Sequence, residues 1–332
     1  MPYGYHGKIL HVNLDKERIE IESPDDSFYR KYIGGSALGA YYLLKQTPSN
    51  ISPFDPRNTL VFALSILTGA PISGQSRMTM VAKSPLTEAI GDSQCGGFFP
   101  AEMKFSGFDA IVVVGQAKSP KYLWIHDGEA ELRDASRIWG CLTGKAEMII
   151  RDELDDEKVE VLQIGPAGEN MVNIACVSHD FGRQAGRTGI GAVMGSKKLK
   201  AIAVRGSNSI PLADPDRVYE QGRKMLHGCF AKPGFKEWTP LGTSGVTPWV
   251  NEVGAFPTKN FWTTFFEDHE GIGGEALKER IWLTDKGCFG CPTPCGKYSL
   301  TRVGEKAAYV EGPEYETVAL LGGNCMLRTI EE

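Results

Sequence analysis

The chain has 332 residues, of which 42% are hydrophobic and 23% charged, and its formal net charge is −5. This composition is typical of a globular protein, and the length favours two domains over one. The acidic balance predicts no contact with nucleic acid or an anionic membrane, and no apolar run reaches the ~18 residues of a membrane-spanning helix.

The first part of the sequence is rich in short strand patterns divided by glycine, proline and serine. Residues 8–22 alternate apolar and polar side chains and predict a β-hairpin. A glycine-rich turn at 34–39 leads into a helical stretch that runs through Leu44, and residues 146–154 form the one other clear helix of this part. Many strands with few helices favour antiparallel sheets over a parallel doubly wound fold. The remaining predicted strands cover 59–64, 78–82, 110–114, 122–125, 131–133, 159–164, 173–177 and 201–204.

The composition changes near residue 210. Asp214 and Pro215 have the residue types of a helix N-cap and first helical position, and the helix is expected to run to about Met225. A loop-rich span, a cysteine loop and a helix-like run at 314–321 follow. We therefore predict an α+β fold with an antiparallel two-sheet β domain at 1–210, followed by a mostly helical domain at 211–332 that carries the cysteine loop.

Three cysteines lie within one short, proline-stiffened stretch of the second part, at Cys288, Cys291 and Cys295. Thiolates at this spacing select zinc or an iron–sulfur cluster over hard cations, and a cubane cluster uses four of them, often three local and one remote. We favour the iron–sulfur cluster and keep zinc as the alternative. Buried thiols without a metal are disfavoured, because a core segment has no need of so many turn residues.

Long polar loops rich in glycine separate several of the predicted strands, and they are interspersed with Arg77, Arg183 and Arg187. One such loop is an ordinary connection, whereas several together indicate that one end of the sheets binds a large phosphate-bearing ligand. Residues 186–198 resemble a dinucleotide fingerprint, but they do not follow a buried strand directly. The loops cover 69–77, 91–97, 165–169 and 186–198.

The carboxylates that follow the cysteine loop include one candidate for catalysis. A helix that begins after Pro313 would direct Glu314 and Glu316 to different faces, so at most one of them faces a pocket. Glu314 is our candidate, and a favourable charge at the helix start is the alternative role.

The histidines form no ligand-spaced pair. The four cysteines that are scattered singly along the chain, and the lack of a signal peptide, predict a reducing, cytoplasmic location.

Several long motifs, in order along essentially the whole chain, make it resemble the tungsten-containing aldehyde ferredoxin oxidoreductase family. These are Ser84-Pro-Leu-Thr87, Gly91-Asp-Ser93, Gly96-Gly-Phe-Phe99, Lys104-Phe-Ser-Gly-Phe-Asp-Ala110, Arg133-Asp-Ala-Ser136, Gly165-Pro-Ala-Gly-Glu-Asn170, Gly189-Ile-Gly-Ala-Val-Met-Gly-Ser-Lys-Lys198, Gly254-Ala-Phe-Pro-Thr-Lys-Asn-Phe261 and the cysteine loop.

The resemblance implies a tungsten, or less often molybdenum, atom held by two pyranopterins beside a 4Fe–4S cluster. It implies that Arg77 lies between pterin and cluster, and that the loops matching 91–97 and 180–187 hold pterin phosphates and a bridging Mg²⁺. The reaction implied is the oxidation of an aldehyde to a carboxylic acid, with electrons passed through the cluster to ferredoxin. The cofactor-binding residues implied are Arg77, Ser93, Gln94, Cys95, Gly96, Arg183, Gln184, Gly186 and Arg187.

Two features depart from the family pattern. Gln94 and Cys95 stand where the family commonly has asparagine and a small residue, which bears on the magnesium contact. Family members are also longer, with a third domain that supplies the fourth cluster cysteine. We expect either a piece completed by a second chain, a truncated chain, or a fourth thiolate from Cys325. An oligomer is expected.

We favour the first of three functions and keep the other two as alternatives. The first is aldehyde oxidation with ferredoxin or another iron–sulfur carrier. The second is a tungsten enzyme that reduces carboxylic acids or aromatic acyl-CoA thioesters. The third is a non-catalytic module that holds the cluster and cofactor for electron transfer.

Overall fold

The computed structural model describes residues 3–332. The chain divides into one unit that ends at Tyr219 and a second that covers Glu220–Glu332. This division falls inside the helix Pro215–Ala231, shortly after the boundary predicted near residue 210. The predicted fold class is confirmed, because the first unit is built on two sheets and a helical region follows.

The strands of the first unit are short and most of them are buried. Their bounds are β1 Ile9–Asn13, β2 Arg18–Glu22, β3 Leu60–Leu64, β4 Met78–Lys83, β5 Ile90–Cys95, β6 Ala110–Val114, β7 Lys121–His126, β8 Glu129–Asp134, β9 Glu160–Gln163, β10 Val177–His179, β11 Arg183–Ala185 and β12 Leu199–Arg205.

Within residues 3–332, these strands form two six-stranded sheets, in the orders β2-β1-β6-β3-β4-β5 and β11-β10-β9-β12-β7-β8. The pairing is antiparallel, as predicted, apart from one parallel pair in each sheet, β1 with β6 and β7 with β12. The hairpins predicted at 8–22 and around Asp127 are present as β1–β2 and β7–β8. Consequently β5 and β11 lie at sheet edges, each paired on one side only.

The main core of the first unit lies between the two sheets. Phe62 and Met80 of the first sheet belong to the same buried cluster as Leu123 and Ile202 of the second. Burying this apolar surface is the principal favourable contribution to folding. The remaining members come from the inward-facing positions of both sheets and from short helices, as strand alternation requires.

Helices cover the outer faces of both sheets, and the first unit has more of them than the sequence predicted. The predicted helices correspond to α2 Gly35–Gln46 and α4 Thr143–Leu154. The others are short, and several begin with proline or run through glycine, so they lack the amphipathic period by which helices are recognised. They are α1 Asp26–Tyr32, α3 Phe99–Phe105, α5 Pro166–Glu169 and α6 Ile190–Ser196.

Two segments predicted as polar loops contain edge strands instead. In β5, Gly91, Ser93 and Cys95 are buried while the alternate residues are more exposed. Small and polar residues on both faces hide this alternation from a hydrophobicity pattern. The short strand β11 at 183–185 was missed for the same reason, and β10 begins at Val177, where the sequence predicted a strand end.

The second unit consists of short helices and one hairpin-connected sheet. The predicted helix starts at Asp214 with α7 Pro215–Ala231, and the helix predicted at 314–321 begins with α11 Tyr315–Thr317 and continues as a π-helix, Val318–Gly322. The other helices are α8 Pro233–Leu241, α9 Thr247–Glu252, α10 Gly274–Ala276, the 3₁₀-helices Gly242–Val246, His269–Gly271 and Gly323–Cys325, and the π-helix Leu277–Ile281.

The sheet of the second unit was not predicted. Its strands are β13 Trp282–Lys286, β14 Gly296–Val303 and β15 Lys306–Glu311, paired antiparallel in the order β13-β14-β15. Nearly all of β15 is exposed, so its sequence shows no buried face. Among residues 3–332, none of the helices is both long and apolar enough to cross a membrane.

Candidate functional site

The three predicted cluster cysteines lie on one hairpin loop of the second unit. Strands β13 and β14 pair antiparallel, and their last pair joins Lys286 with Gly296, so residues 287–295 form the loop between them. Inside the loop the Cys291 amide donates to the Cys288 carbonyl at 3.1 Å. Cys288, Cys291 and Cys295 are all partly exposed, which disfavours a role in the hydrophobic core.

The sulfur atoms of this loop are not bonded to one another. Throughout residues 3–332 no cysteine forms a disulfide, and no group of three or more His, Cys, Asp or Glu side chains is arranged to hold a metal ion. Cys325 is exposed, in the 3₁₀-helix Gly323–Cys325. The metal ligands predicted from the sequence therefore stay a prediction, supported by their placement on a single loop.

A buried lysine holds the base of the cysteine loop in place through polar contacts. Lys297, the second residue of β14, is almost fully buried and donates from Nζ to the Pro294 carbonyl at 2.8 Å and to the Thr239 carbonyl at 2.7 Å. The same Nζ lies 3.1 Å from a carboxylate oxygen of Asp285 on β13. The loop is thus held from both of its strands and from the end of α8.

Glu314 contacts the segment that follows α8. It occupies the N-cap position of α11, and its Oε2 accepts a hydrogen bond from the hydroxyl of Thr243. Glu314 is partly exposed, as is Thr243. The candidate carboxylate therefore lies near the surface of its unit, and Glu316, two residues further on, is exposed.

In the first unit, the two edge strands β5 and β11 meet. The Arg187 amide, just after β11, donates to the hydroxyl of Ser93 on β5 at 3.1 Å. One residue further on, the Thr188 carbonyl accepts from the hydroxyl of Ser84 at 2.7 Å. These bonds bring the predicted cofactor loops 91–97 and 180–187 together, although 94 residues separate Ser93 from Arg187 in sequence.

Asp180 connects the same two loops through a buried carboxylate. Its oxygens accept from the amides of Phe98 and Phe99 at the start of α3, and Oδ1 lies 3.1 Å from Nδ1 of His179. Burial alone would lower the pKa of His179, but the neighbouring Cys95 and Asp180 raise that pKa well above its usual range. Burial likewise opposes ionisation of Asp180, and the interaction with His179 lowers its pKa nonetheless.

The predicted cofactor-binding residues divide into an outward and an inward set. Arg77, Gln94, Gln184 and Arg187 are exposed, together with Gly186. Ser93 and Cys95 are buried, because alternate residues of a strand point to opposite faces. Gly96 and Arg183 are intermediate. Arg77 directly precedes β4, whose first residue, Met78, pairs with Cys95. Arg77 therefore lies beside the end of β5, and the other eight residues lie on the edge strands β5 and β11 or directly after them.

The chemistry of these residues fits the groups that the resemblance implies. Two exposed arginines and two exposed amides along one sheet edge suit anionic phosphates and a polar heterocycle. Close by, Gln75 is 6% exposed and its Nε2 has no hydrogen-bond partner among residues 3–332, whereas its Oε1 accepts from the Gly69 amide. A buried donor without a partner is unusual in a folded protein, and a bound polar ligand would supply the acceptor. In the second unit, three thiols on one loop suit a soft metal.

Sequence reasoning missed two residues of this arrangement as individual contributors. The sequence indicates Asp180 only as the start of a polar loop and gives no indication of Thr243. Asp180 carries no local signal for its contacts, since Phe98 and Phe99 lie more than 80 residues away in sequence. Thr243 carries no local signal, since its partner lies 71 residues away.

Family models match both units. The model described as aldehyde ferredoxin oxidoreductase, N-terminal domain, matches residues 9–206. The model described as aldehyde ferredoxin oxidoreductase, domains 2 and 3, matches residues 220–332. The two matches therefore follow the same division of the chain as the compact units.

Curated relatives agree with these models. The chain is 42% identical over 324 residues to a tungsten-containing aldehyde ferredoxin oxidoreductase of Pyrococcus abyssi, an alignment that covers 97% of this chain and 53% of the relative. A protein of the same name from Pyrococcus furiosus is 42% identical over 327 residues. The aliphatic sulfonate oxidoreductase, WOR-like subunit, of Pyrococcus furiosus is 32% identical over 340 residues. The chain thus spans about half the length of the curated relatives it matches.

A solved structure has the same fold. The active site complex of benzoyl coenzyme A reductase in complex with 1,5-dienoyl-CoA superimposes with a TM-score of 0.85 and 28% identity, over 100% of this chain and 52% of that one. The family models, the relatives and this structure lead to one assignment. The chain belongs to the aldehyde ferredoxin oxidoreductase family.

Proposed function

We propose that this chain is the cofactor-binding part of a tungsten oxidoreductase that oxidises aldehydes to carboxylic acids. The observation that carries the proposal is the placement of Cys288, Cys291 and Cys295 on one partly exposed hairpin loop, in a chain whose relatives at 42% identity are named for tungsten, aldehyde and ferredoxin. Three thiolates on one loop suit a 4Fe–4S cluster completed by a fourth ligand, which comes from Cys325 or from another polypeptide segment.

Each unit has its own part in this proposal. In the first unit, Arg77 would bind a pyranopterin, Arg187 would bind pyranopterin phosphates, and Gln94 and Gln184 would bind polar edges of the pterins. Mg²⁺ would bind together with the phosphates. The bound tungsten and cluster supply the two-electron oxidation and the single-electron exit. In the second unit, Glu314 would bind and orient the aldehyde and exchange a proton with it, since a positioned carboxyl is a common general acid or base.

The partners follow from the same chemistry. A ferredoxin, or another small iron–sulfur carrier, would accept the electrons, as the names of the relatives indicate for those proteins. Because the chain spans about half of their length, a further polypeptide segment of this family, on this chain or a second one, would complete the substrate site. A cluster bound by thiolates is stable in a reducing compartment, and we place the protein in the cytoplasm.

A second candidate reaction is the reduction of an aromatic acyl-CoA thioester or a carboxylic acid. The observation that favours it is the structural match to the benzoyl coenzyme A reductase complex over the whole chain. The identity is lower, 28% against 42% for the aldehyde oxidoreductases, and we rank aldehyde oxidation first.

Substrate-dependent viologen reduction tests the two reactions side by side. The protein, purified anaerobically with whatever polypeptide co-purifies, is mixed with oxidised benzyl viologen and either aldehydes or the dienoyl-CoA product of the second candidate reaction. We expect reduction with aldehydes, and a loss of at least tenfold in the Glu314→Gln variant. Reduction only with the CoA compound would favour the second reaction, and no reduction with either by protein that contains tungsten and iron would overturn the proposal.

A further inference from the structure

The hydroxyl of Thr243 makes two hydrogen bonds to consecutive residues of the candidate substrate-binding segment. It donates to Oε2 of Glu314 and accepts from the amide of Tyr315 at 2.9 Å. Because the Tyr315 amide occupies one lone pair of the hydroxyl oxygen, the single hydroxyl hydrogen is directed at the carboxylate. The direction of the bond to Glu314 is therefore determined by the backbone rather than by a freely rotating hydroxyl.

The residue next to Thr243 holds the same segment from the other side. Ser244 is 1% exposed and donates from Oγ to the Pro313 carbonyl at 2.6 Å. The 3₁₀-helix Gly242–Val246 thus contacts three successive residues, Pro313, Glu314 and Tyr315. The Thr243 hydroxyl bonds the Glu314 side chain, whereas the Ser244 hydroxyl bonds a backbone carbonyl, so the two hydroxyls have separable roles.

The same 3₁₀-helix packs against the cysteine loop. Gly242 has φ of +61°, and a Cβ atom at this position would overlap the carbonyl oxygen of Cys295. Just before it, the Thr239 carbonyl accepts from Lys297, whose Nζ also binds the Pro294 carbonyl. One short segment, residues 239–244, therefore contacts the predicted cluster loop at one end and the Glu314 carboxylate at the other.

We propose that Thr243 is a positioning residue, which holds the Glu314 carboxylate in one orientation relative to the cysteine loop. A glutamate side chain has three rotatable bonds, and fixing it costs rotamer entropy that a charge-assisted hydrogen bond offsets. Placement of a reacting group matters greatly, since a misplacement of about 1 Å can lower a rate about 100-fold. The inference rests on the proposed function in one respect, namely that Glu314 acts on the substrate.

Substitutions at Thr243 test the inference through kinetics. In the cofactor-loaded full protein, Thr243→Val removes the hydroxyl at nearly constant volume, and Thr243→Ser keeps it. We expect Val to lower kcat by about 10- to 100-fold with little change in KM, and Ser to retain kcat within about threefold. Thr243→Ala serves in place of Val if the Val protein does not fold. The matched control is Ser244→Ala, which should lower stability and leave kcat within about threefold.

A double-mutant cycle separates a role through Glu314 from a general structural role. If Thr243 acts through the carboxylate, Thr243→Val should cost almost nothing further in the Glu314→Gln protein, because coupled residues are not additive. The inference is overturned if the fold-loss of kcat in the double variant equals the product of the two single fold-losses. It is also overturned if Thr243→Val leaves kcat unchanged, or if Thr243→Ser does not retain activity.

A readout that does not depend on turnover keeps the inference apart from the proposed function. Crystal structures of the Thr243→Val and Thr243→Ser proteins should show the Glu314 carboxylate displaced in the first and retained in the second. A carboxylate that keeps its single orientation in Thr243→Val overturns the inference whatever the activity. If instead Glu314→Gln turns over as fast as the unaltered protein while Thr243→Val displaces the carboxylate, the catalytic role of Glu314 fails and the positioning contact stands.

Discussion

The backbone amide of Arg187 donates a hydrogen bond of 3.1 Å to the side-chain hydroxyl of Ser93. This bond joins the edge strand of one sheet to the segment that leaves the edge strand of the other. It is the contact through which the two predicted pterin loops, far apart in sequence, become one surface. Ser93 is 1% exposed, so its side chain is shielded from solvent.

Removing the Ser93 hydroxyl should loosen this junction. We expect Ser93→Ala to lower the free energy of unfolding by about 1 kcal/mol, because the Arg187 amide loses its acceptor in a partly buried hydrogen bond. Amide hydrogen exchange at Arg187 should accelerate, while exchange in the central strand β3 should not. The control Ser136→Ala removes an exposed hydroxyl and should change stability by less than about 0.5 kcal/mol. Unchanged exchange at Arg187 in Ser93→Ala would contradict the role of this bond.

The buried side chain of Lys197 should make the free energy of unfolding rise with pH. It is buried, its Nζ donates to the carbonyls of Pro56 and Gly115, and burial lowers its pKa to about 7. In the unfolded chain the lysine pKa is about 10.4. Between these values the unfolded state binds more protons, so this residue adds stability as the pH rises, with a slope of at most about 1.4 kcal/mol per pH unit.

Substitution isolates this contribution. Lys197→Met should remove it, so that the free energy of unfolding rises less between pH 7 and pH 10 than in the unaltered protein. Lys198→Met is the matched control, because Lys198 is partly exposed and binds a single carbonyl, that of Lys118. Urea titrations at several pH values measure the slopes. Equal slopes in the Lys197→Met and unaltered proteins would show that Lys197 is charged in the folded state at neutral pH.

Serine substitutions of single cysteines identify the cluster ligands. We expect Cys288→Ser to lower the iron content of the anaerobically purified protein several-fold and to bleach its broad visible absorption, since thiolates hold such clusters. Cys229→Ser, on α7, should retain both. Cys325→Ser distinguishes the two sources of the fourth ligand: loss of iron assigns that ligand to Cys325, and retention assigns it to another polypeptide segment. Full iron content in Cys288→Ser would contradict the loop as the cluster site.

Much of the first unit could be predicted from sequence because its buried strands are short apolar runs. Val61, Val112 and Ile202 lie in such runs, and each is fully buried or nearly so. The edge strands β5 and β11 could not be predicted in this way, because Gln94 and Gln184 point outward and the inward positions are small or polar. Their strand conformation depends on pairing with distant neighbours, which a local pattern does not contain.

The candidate site likewise contains residues that a local sequence pattern predicts and contacts that it does not. Cys288, Cys291 and Cys295 could be found because their ligand spacing is local, within one turn-rich loop. The contact from Thr243 to Glu314 and the contact from Ser93 to Arg187 could not, because each joins residues that only the folded chain brings together. The family resemblance indicated which loops matter, and the structure shows which atoms of those loops are in contact.

Elemental analysis of the anaerobically purified protein tests the central claim most directly. Cells are grown with tungstate, and iron, tungsten, molybdenum and zinc are measured per chain together with the visible absorption spectrum. The account predicts about four iron atoms per cluster, tungsten or molybdenum in the same chromatographic fractions of the purified protein, and little zinc. Protein that folds and contains neither tungsten nor molybdenum, and no iron, would contradict it, and stoichiometric zinc in place of iron would assign the cysteine loop to a structural zinc site.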